Sequence, residues 1–306
     1  MSKITWHIEP TSKCILECPL CDRTWFYNKF KRRLTHEINI TDLINFFKEQ
    51  PSKIEMCGNN GDPIYHSKFH ELCSKLKSIK STLSITTNGS GKNKEWWEKL
   101  CSILSDKDSI MFSIDGLQDT NHLYRKNAKW QSIIDAINVV SKYKFNTIWK
   151  FIVFKHNQHQ IKEAENLSKL LGIKHFRLEK SDRWWNQDLM PEEKYVDPSY
   201  KHQIAVTKGL DTAMSIKQRC MSILNGKPDK NLYIDAEGNF YPCCWIGLYA
   251  FRYKNIFSPK NKEFNIQNNT IDQILSNKKV ISFFESTKSY ETADKCCKIY
   301  CGVNNG

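Results

Sequence analysis

Hydrophobic and polar positions follow two alternating periodicities over the first 180 residues. Short apolar runs typical of buried strands lie at 3–9, 53–57, 82–87, 109–114, 147–154 and 174–179. Amphipathic patterns with helical spacing lie between them, at 41–50, 67–80, 93–105, 130–143 and 158–171. Strands that alternate with helices indicate a parallel sheet with right-handed crossovers. At about 30 residues per unit the span holds about six units, whereas a complete barrel has about eight. The pattern therefore predicts an α/β fold, a partial (β/α)6 TIM-like barrel.

The alternation stops near residue 180. The next stretch, 181–218, is predicted to bridge two domains and to contain a helix near 198–214. Two short apolar runs then flank Glu237-Gly238-Asn239, which predicts a β-hairpin. We therefore expect a core over residues 1–180, a bridge over 181–218, and a small domain of β-hairpin plus helix over 219–306.

Composition places the chain among folded proteins that do not span a membrane. Of 306 residues, 40% are hydrophobic and 12% are aromatic, which excludes a disordered chain. No apolar run approaches the ~20 residues needed to cross a bilayer, and the N-terminus lacks the apolar segment of a signal peptide. We expect a cytoplasmic monomer, in which the 12 cysteines serve as metal ligands more often than as disulfides.

The net charge of +13 adds little to this picture. It is compatible with nucleic acid or an acidic substrate as partner. However, the lysines are spread along the chain, and the only dense basic run is Lys29, Lys31, Arg32 and Arg33. This distribution favours a solvated basic surface over a nucleic-acid site.

Three cysteines follow the first predicted strand. Cys14, Cys18 and Cys21 have the spacing C-x3-C-x2-C. Three thiolates can hold a cubic iron–sulfur cluster and leave one iron open to a small molecule. A zinc site completed by a distant ligand, or three unrelated buried cysteines, are the alternatives that these residues leave open.

The cysteine motif resembles the signature of the radical S-adenosylmethionine (SAM) superfamily, whose open iron chelates the amino and carboxylate groups of SAM. The loop after the second strand resembles the Gly-Gly-Glu-Pro motif of that superfamily, which holds the SAM amino group. The matching residues are Asn60, Gly61, Asp62 and Pro63. Asn60 replaces the first glycine, and Asp62 replaces the glutamate and shortens its reach.

The same resemblance assigns further residues near the predicted strand ends. Those assigned to SAM binding are Thr87, Asn88, Ser113, Arg125, Asn157 and Leu178. Arg125 is assigned to the SAM carboxylate, although a surface ion pair is an alternative. Asp115 is assigned a catalytic place facing the ribose or the substrate, although an Asp before Gly116 is also a common turn residue.

A second group of cysteines lies in the last third of the chain, at 220, 243, 244, 296, 297 and 301. The G-x4-C spacing from Gly238 to Cys243 and a late C-x3-C pair resemble the twitch and SPASM extensions of radical SAM proteins, which hold auxiliary iron–sulfur clusters. Six cysteines are too few for two such clusters. The resemblance implies one auxiliary cluster, with the ligands Cys220, Cys243, Cys297 and Cys301.

Two further cysteines of this group, Cys244 and Cys296, could exchange with their neighbours as ligands. Cys244 or Cys57 is also the candidate thiol that donates a hydrogen atom in a redox-neutral reaction. A structural zinc ion is the alternative for the group as a whole, because four thiolates suit it equally well.

The resemblance implies a [4Fe–4S] cluster that binds SAM, an auxiliary [4Fe–4S] cluster, and SAM itself. It implies an enzyme that forms a 5′-deoxyadenosyl radical and takes a hydrogen atom from a peptide or protein, with oxidation, crosslinking or epimerisation as the outcome. Oxidation of a small molecule, such as a sugar alcohol or nucleotide, is an alternative. An electron donor such as flavodoxin or ferredoxin is the expected protein partner. A zinc-binding adaptor for nucleic acid or protein is the alternative from another class.

Overall fold

The computed structural model of the protein describes residues 5–209, 214–216, 232–249, 256–258 and 262–304. Contacts divide the chain into two compact units. The strand–helix unit comprises Glu9–Glu37 and Glu55–Asp197. The hairpin unit comprises the described residues up to Ile8, Ile38–Ile54, and those from Pro198 onward.

The strands in chain order are β1 (Thr5–Ile8), β2 (Lys53–Met56), β3 (Thr82–Thr87), β4 (Ser109–Ser113), β5 (Asn146–Ile152), β6 (His175–Glu179), β7 (Met214–Ile216), β8 (Leu232–Ile234), β9 (Phe240–Tyr241) and β10 (Gly302–Asn304). The helices are α1 (Asp22–Phe30), α2 (Ile40–Phe47), α3 (Phe69–Ser78), α4 (Lys94–Ile103), α5 (Asn121–Tyr124), α6 (Trp130–Val140), α7 (Ile161–Leu170), α8 (Ser199–Thr207), α9 (Cys244–Tyr249), α10 (Ile271–Leu275), α11 (Lys278–Ser286) and α12 (Lys295–Cys301).

The sheet of the strand–helix unit has the strand order β6, β5, β4, β3, β2. The pairs β3–β4, β4–β5 and β5–β6 are parallel. Successive residues of a strand point to opposite faces, and in β5 this alternation buries Trp149 and Phe151 completely. Lys150 lies between them in the chain, beside Ser113 of β4. In β5, one face of the sheet therefore carries buried aromatic residues, and Lys150 stands on the other face.

The hairpin unit contains a smaller sheet. β8 pairs in parallel with β1 and antiparallel with β9, with Ile234 opposite Ile8 and Phe240 respectively. Trp6 of β1 is fully buried, and its ring lies 5.3 and 5.4 Å from the rings of Phe46 and Phe47 of α2. Aromatic side chains from β1 and α2 thus form the core of this unit.

The structure confirms the predicted α/β class: a mostly parallel sheet with helices, and a C-terminal region of strands and helices. All six predicted strands, the helices between them and the hairpin at β8–β9 occur within a few residues of the expected bounds. The helix expected near 198–214 is α8, which ends at Thr207; residues 210–213 lie outside the described residues. The division at residues 180 and 218 stays a prediction. None of the helices in the described ranges combines the length and apolar character that crossing a bilayer requires.

Helix α1 was not predicted. Its apolar and polar side chains do not separate onto two faces, so its sequence carries no amphipathic signal. The helix begins directly after Cys21, whose backbone is extended, and Trp25 N donates a hydrogen bond to Cys21 O at 3.0 Å. The turn that carries the cysteines therefore determines where this helix starts.

Candidate functional site

A cleft in the strand–helix unit brings together side chains from the cysteine segment and from the ends of β2, β3, β4 and α5. Among the residues that line it are Cys14, Cys18, Cys21, Arg23, Cys57, Asn60, Gly61, Asp62, Thr87, Asn88, Ser113, Arg125, Lys150 and Arg183. In parallel sheets, binding sites form at the carboxyl ends of the strands because the βα loops meet there. The cleft is therefore the candidate site.

The cysteine segment presents three thiols to this cleft. Cys18 is buried, whereas Cys14 and Cys21 are half-buried. Cys21 N donates to Cys18 O at 3.1 Å and closes the turn between them. The Sγ atom of Cys14 accepts hydrogen bonds from Leu16 N at 3.4 Å and from Asn88 Nδ2 at 3.7 Å. The segment thus holds its thiols in place through backbone and side-chain donors.

The surroundings of these thiols suit a metal cluster. Burial raises the pKa of Cys14 to about 12, against the lowering effect of Leu16 N–H and Arg23. Burial also raises the pKa of Cys18 to about 12, against Arg125 and Arg23. Bound iron reverses this effect because it coordinates the deprotonated thiolate. Three soft thiolate donors and N–H groups directed at sulfur are the ligand environment of iron–sulfur clusters.

No three His, Cys, Asp or Glu side chains within the described ranges lie close enough together to hold one metal ion. A cubic cluster makes no such demand, since each thiolate binds a different iron. The absence of a single-ion site among the described residues therefore does not bear on a cluster.

The loop after β2 is held by Glu9, a residue that was not predicted to belong to the site. Glu9 is 1% exposed, and its Oε1 accepts hydrogen bonds from Asn60 N and Gly61 N, both at 2.7 Å. Because a trans peptide directs its N–H and C=O in opposite directions, the carbonyls of Asn59 and Asn60 point away from Glu9. Glu9 directly follows β1, and this position at a strand end is the signal that could have identified it.

Gly61 allows this loop to pack against the cysteine segment. A Cβ atom at Gly61 would lie 1.8 Å from Thr11 O, which no side chain tolerates. The next residue, Asp62, donates its backbone N–H to Lys13 O at 2.9 Å. The predicted SAM loop and the predicted cluster segment are thus joined by backbone contact.

Asp62 faces Asn88 instead of open solvent. Its Oδ2 accepts hydrogen bonds from both Asn88 N and Asn88 Nδ2 at 2.6 Å. Burial raises the pKa of Asp62 to about 6, although hydrogen bonds from Asn88, Thr87 and Ile64 oppose this rise. The carboxylate therefore ties the loop after β2 to the end of β3, and through Asn88 it also orients Cys14.

Asp115 and Arg125 form a buried ion pair. The Oδ2 atom of Asp115 lies 2.8 Å from Arg125 Nε and 2.7 Å from Arg125 Nη2, and its Oδ1 accepts from Ile152 N at 2.8 Å. Asp115 is fully buried, and the side chain of Arg125 is only 13% exposed. The guanidinium lines the cleft, whereas the carboxylate is held behind it. This geometry favours a positioning role for Asp115 over direct contact with a substrate.

The remaining predicted residues divide between the cleft and its support. Thr87 and Ser113 line the cleft. Asn157 is fully buried and uses its amide on Phe154 N, Asp115 O and Ile152 O, at 2.7 to 3.0 Å. Pro63 is buried and starts a short 3₁₀ helix, and Leu178 is 40% exposed in β6. The last three residues are not among those that line the cleft.

Three cations of the cleft were not predicted. Arg23 is 8% exposed, and its Nε has no hydrogen-bond partner within the described residues. Lys150 stands between two buried aromatic residues of β5, a break in the apolar pattern that could have identified it. Arg183 Nη1 lies 3.5 Å from Asp22 Oδ2. Together with Arg125 they give the cleft four cationic side chains, of which Arg125 and Arg183 are paired with Asp115 and Asp22.

The late cysteines meet in the hairpin unit. Cys243, Cys296, Cys297 and Cys301 line one small apolar cavity, which Trp245 and Tyr300 also line. These two rings are stacked, with centroids 3.9 Å apart. Burial and the neighbouring thiols of Cys243, Cys297 and Cys301 raise the pKa of Cys296 well above its usual value. Four soft donors around one cavity suit an iron–sulfur cluster.

The other two members of the late group are Cys244 and Cys220. Cys244 is the first residue of α9 and is not among the residues that line this cavity. Cys220, a predicted ligand, lies outside the described residues. Cys296, which was predicted only as a possible replacement for Cys297, lines the cavity together with it.

Comparisons with known proteins agree with both cysteine groups. A model of the radical SAM superfamily matches residues 8–168, and a model of SPASM, an iron–sulfur cluster-binding domain, matches residues 220–302. These two domains imply [4Fe–4S] clusters and SAM as cofactors.

Solved structures resemble the chain over almost its whole length. The crystal structure of Streptococcus suis SuiB matches with a TM-score of 0.63 at 13% identity, over 97% of this chain and 72% of that one. SuiB bound to the precursor peptide SuiA matches with a TM-score of 0.63 at 13% identity, over 97% of this chain and 70% of that one. SuiB bound to S-adenosylmethionine matches with a TM-score of 0.58 at 14% identity, over 96% of this chain and 77% of that one. At this level of identity the likeness concerns the fold.

Proposed function

Because the chain belongs to the radical SAM superfamily, we propose that it cleaves SAM reductively and acts on a peptide or protein substrate. When bound, a [4Fe–4S] cluster supplies one electron for cleavage of SAM to methionine and a 5′-deoxyadenosyl radical, which takes a hydrogen atom from the substrate. The observation that carries this proposal is the cleft in which Cys14, Cys18 and Cys21 face the Gly-Asp-Pro loop.

The residues of the cleft have distinct roles in this proposal. Cys14, Cys18 and Cys21 ligate the cluster. The carbonyls of Asn59 and Asn60, which point away from Glu9, accept hydrogen bonds from the SAM ammonium group. Ser113 and Thr87 contribute hydroxyl groups to the wall of the cleft.

Charge places the carboxylate group of SAM. Arg125 directs a guanidinium into the cleft, and its Nε and one Nη bind Asp115, so further N–H groups are available for the SAM carboxylate. Asp115 and Asn157 act as positioning residues. Asp115 fixes Arg125, and Asn157 fixes the backbone of Asp115 and Ile152. Asp62 positions the SAM loop through Asn88.

The substrate class rests on the fold. One of the structures that match 97% of this chain is SuiB bound to a precursor peptide. This match supports a peptide as the substrate here too. The C-terminal cavity supports one auxiliary [4Fe–4S] cluster on Cys243, Cys297 and Cys301, with Cys220 or Cys296 as the fourth ligand. Such a cluster would accept the electron left on an oxidised substrate radical, or hold the hairpin unit folded.

Anaerobic reconstitution tests the proposal. We expect about eight irons and eight sulfides per chain, as two [4Fe–4S] clusters require, and release of 5′-deoxyadenosine from SAM with dithionite as reductant. Cys18→Ala should lose the first cluster and the cleavage activity. Cys101→Ala is the matched control, because Cys101 is also buried but lies in α4 and does not line the cleft.

Two outcomes would contradict the proposal. Stoichiometric zinc with negligible iron would favour the adaptor function. Cleavage at the wild-type rate in Cys18→Ala would remove the cysteine segment from the mechanism. The substrate class is tested separately, by mass spectrometry of short peptides encoded beside the gene after incubation with the reconstituted protein and SAM.

A further inference from the structure

The end of α1 and the residues after it form an exposed basic segment. All seven residues from 27 to 33 are exposed, and they include four cations and two aromatic side chains. Phe30 is 53% exposed and Tyr27 is 36% exposed. Exposed aromatic side chains beside cations are typical of interaction surfaces more than of plain solvated ones.

Two of the four cations of this segment, Lys29 and Arg33, are held in place by aromatic rings. Lys29 Nζ lies 4.9 Å from the centroid of the Trp25 ring and 5.4 Å from that of Phe30. The guanidinium carbon of Arg33 lies 4.9 Å from the centroid of the Tyr27 ring. Such cation–π contacts restrict the side chains while leaving the charge exposed. The segment therefore presents a positive surface on which Lys29 and Arg33 are ordered.

This surface continues onto the cysteine segment. Arg33 Nη2 lies 3.4 Å from Glu17 Oε1, and Glu17 N donates to Lys126 O at 3.1 Å. Ile15, which directly follows Cys14, is 39% exposed. Since neighbouring Cα atoms are about 3.8 Å apart, a protein that covers Ile15 comes within a few ångströms of the Cys14 backbone. We call residues 27–33 with Ile15 and Lys126 the basic face.

The basic face is unbalanced in charge. It carries five cations, and the acidic side chain that touches it, Glu17, is paired with Arg33. A surface of this kind attracts an acidic partner from a distance. Weak electron-transfer complexes need little contact area, so a short patch with exposed aromatic residues is sufficient.

We propose that the basic face docks an acidic one-electron carrier protein, which delivers the electron consumed in SAM cleavage. This inference rests on the proposed function. In each transfer the carrier is oxidised by one electron and the protein is reduced by one, with no bond made or broken at the interface.

The test uses the reconstituted full chain and a reduced flavodoxin as the carrier. Lys29→Glu with Arg32→Glu reverses two charges without touching the Arg33–Glu17 pair. Lys142→Glu with Lys144→Glu is the matched control, because it makes the same charge change at exposed residues. These residues precede β5, at its amino end, whereas the cleft lies at the carboxyl ends of the strands. Each protein is assayed for 5′-deoxyadenosine release with increasing flavodoxin, and separately with dithionite.

We expect the first variant to lose about tenfold or more in kcat/KM for flavodoxin at low salt, in the range by which electrostatic steering raises association rates. Its dithionite-driven rate and iron content should equal those of the wild type, and the control variant should behave as the wild type in every assay. The wild-type rate with flavodoxin should fall with added NaCl, because the Debye length shortens.

An unchanged flavodoxin titration in the first variant would overturn the proposal. It would do so also if that variant lost affinity for an RNA or DNA probe, because the basic face would then bind nucleic acid. Equal loss with dithionite would also overturn it, because the residues would then act on the cluster. Calorimetry of flavodoxin binding to the reconstituted protein tests docking even if SAM is not cleaved. Binding without SAM cleavage would contradict the proposed function and leave the docking surface supported.

Discussion

The ion pair between Asp115 and Arg125 offers the sharpest test of the site. Replacing Asp115 with Asn removes the charge that faces a guanidinium whose side chain is only 13% exposed. It also weakens three hydrogen bonds, two from Arg125 at 2.7 and 2.8 Å and one from Ile152 N at 2.8 Å. Removing one partner of a buried pair costs about 3–5 kcal/mol, mainly because the other charge stays buried without compensation.

A double-mutant cycle separates the pair from its surroundings. Asp115→Asn and Arg125→Gln are made singly and together, and the free energy of unfolding of each cluster-free protein is measured with urea. The double variant should lose less than the sum of the single variants, with a coupling of about 1.5–3 kcal/mol. In parallel, the amide of Ile152 should exchange with deuterium about 100-fold faster in Asp115→Asn, which corresponds to about 3 kcal/mol.

Coupling below about 0.5 kcal/mol, the ordinary error of additivity, would refute this reasoning. The same variants separate positioning from direct catalysis. If Asp115 only positions Arg125, both single variants should weaken SAM binding in parallel. If Asp115 contacts the substrate, Asp115→Asn should instead lose product while SAM binding and cleavage persist.

Three further predictions concern the loop, the buried carboxylate and the second cysteine group. Glu9→Gln should weaken SAM binding by about 1–3 kcal/mol, because the two N–H groups at 2.7 Å lose a charged acceptor; calorimetry with unchanged iron content would show it, and unchanged affinity would contradict it. Since Asp62 has a pKa of about 6 when folded and near 3.9 when unfolded, the native state binds more protons in this window and its stability falls as the pH rises through it. Urea unfolding of cluster-free protein at pH 4.5 and 7 should show that Asp62→Asn lessens this fall, by about 2 kcal/mol; an identical pH dependence would count against the assignment. Cys297→Ala should lose about four irons and keep deoxyadenosine release, whereas full iron content would exclude Cys297 as a ligand.

The sequence by itself determined the strands, the helices between them and the position of the cysteine motif. These features depend on local chemistry: apolar residues with period two or 3.6, and cysteines a few residues apart. The resemblance to the radical SAM superfamily then assigned Ser113 and the loop at Asp62 to the site, and both follow strands at the carboxyl ends, where sites of parallel sheets form. Local patterns were therefore sufficient for the class of fold, and the motifs for the place of the site.

The tertiary structure decided which of those residues face the cleft. Glu9 binds the backbone N–H groups of Asn60 and Gly61, which lie more than 50 positions further along the chain. No periodicity in the sequence signals such a contact. The pairing of Asp115 with Arg125, and of Asp62 with Asn88, turned two predicted contact residues into supports. A buried carboxylate is stable only where donors meet it, and which donors do so depends on how distant strand ends pack, a relation that the order of residues along the chain does not contain.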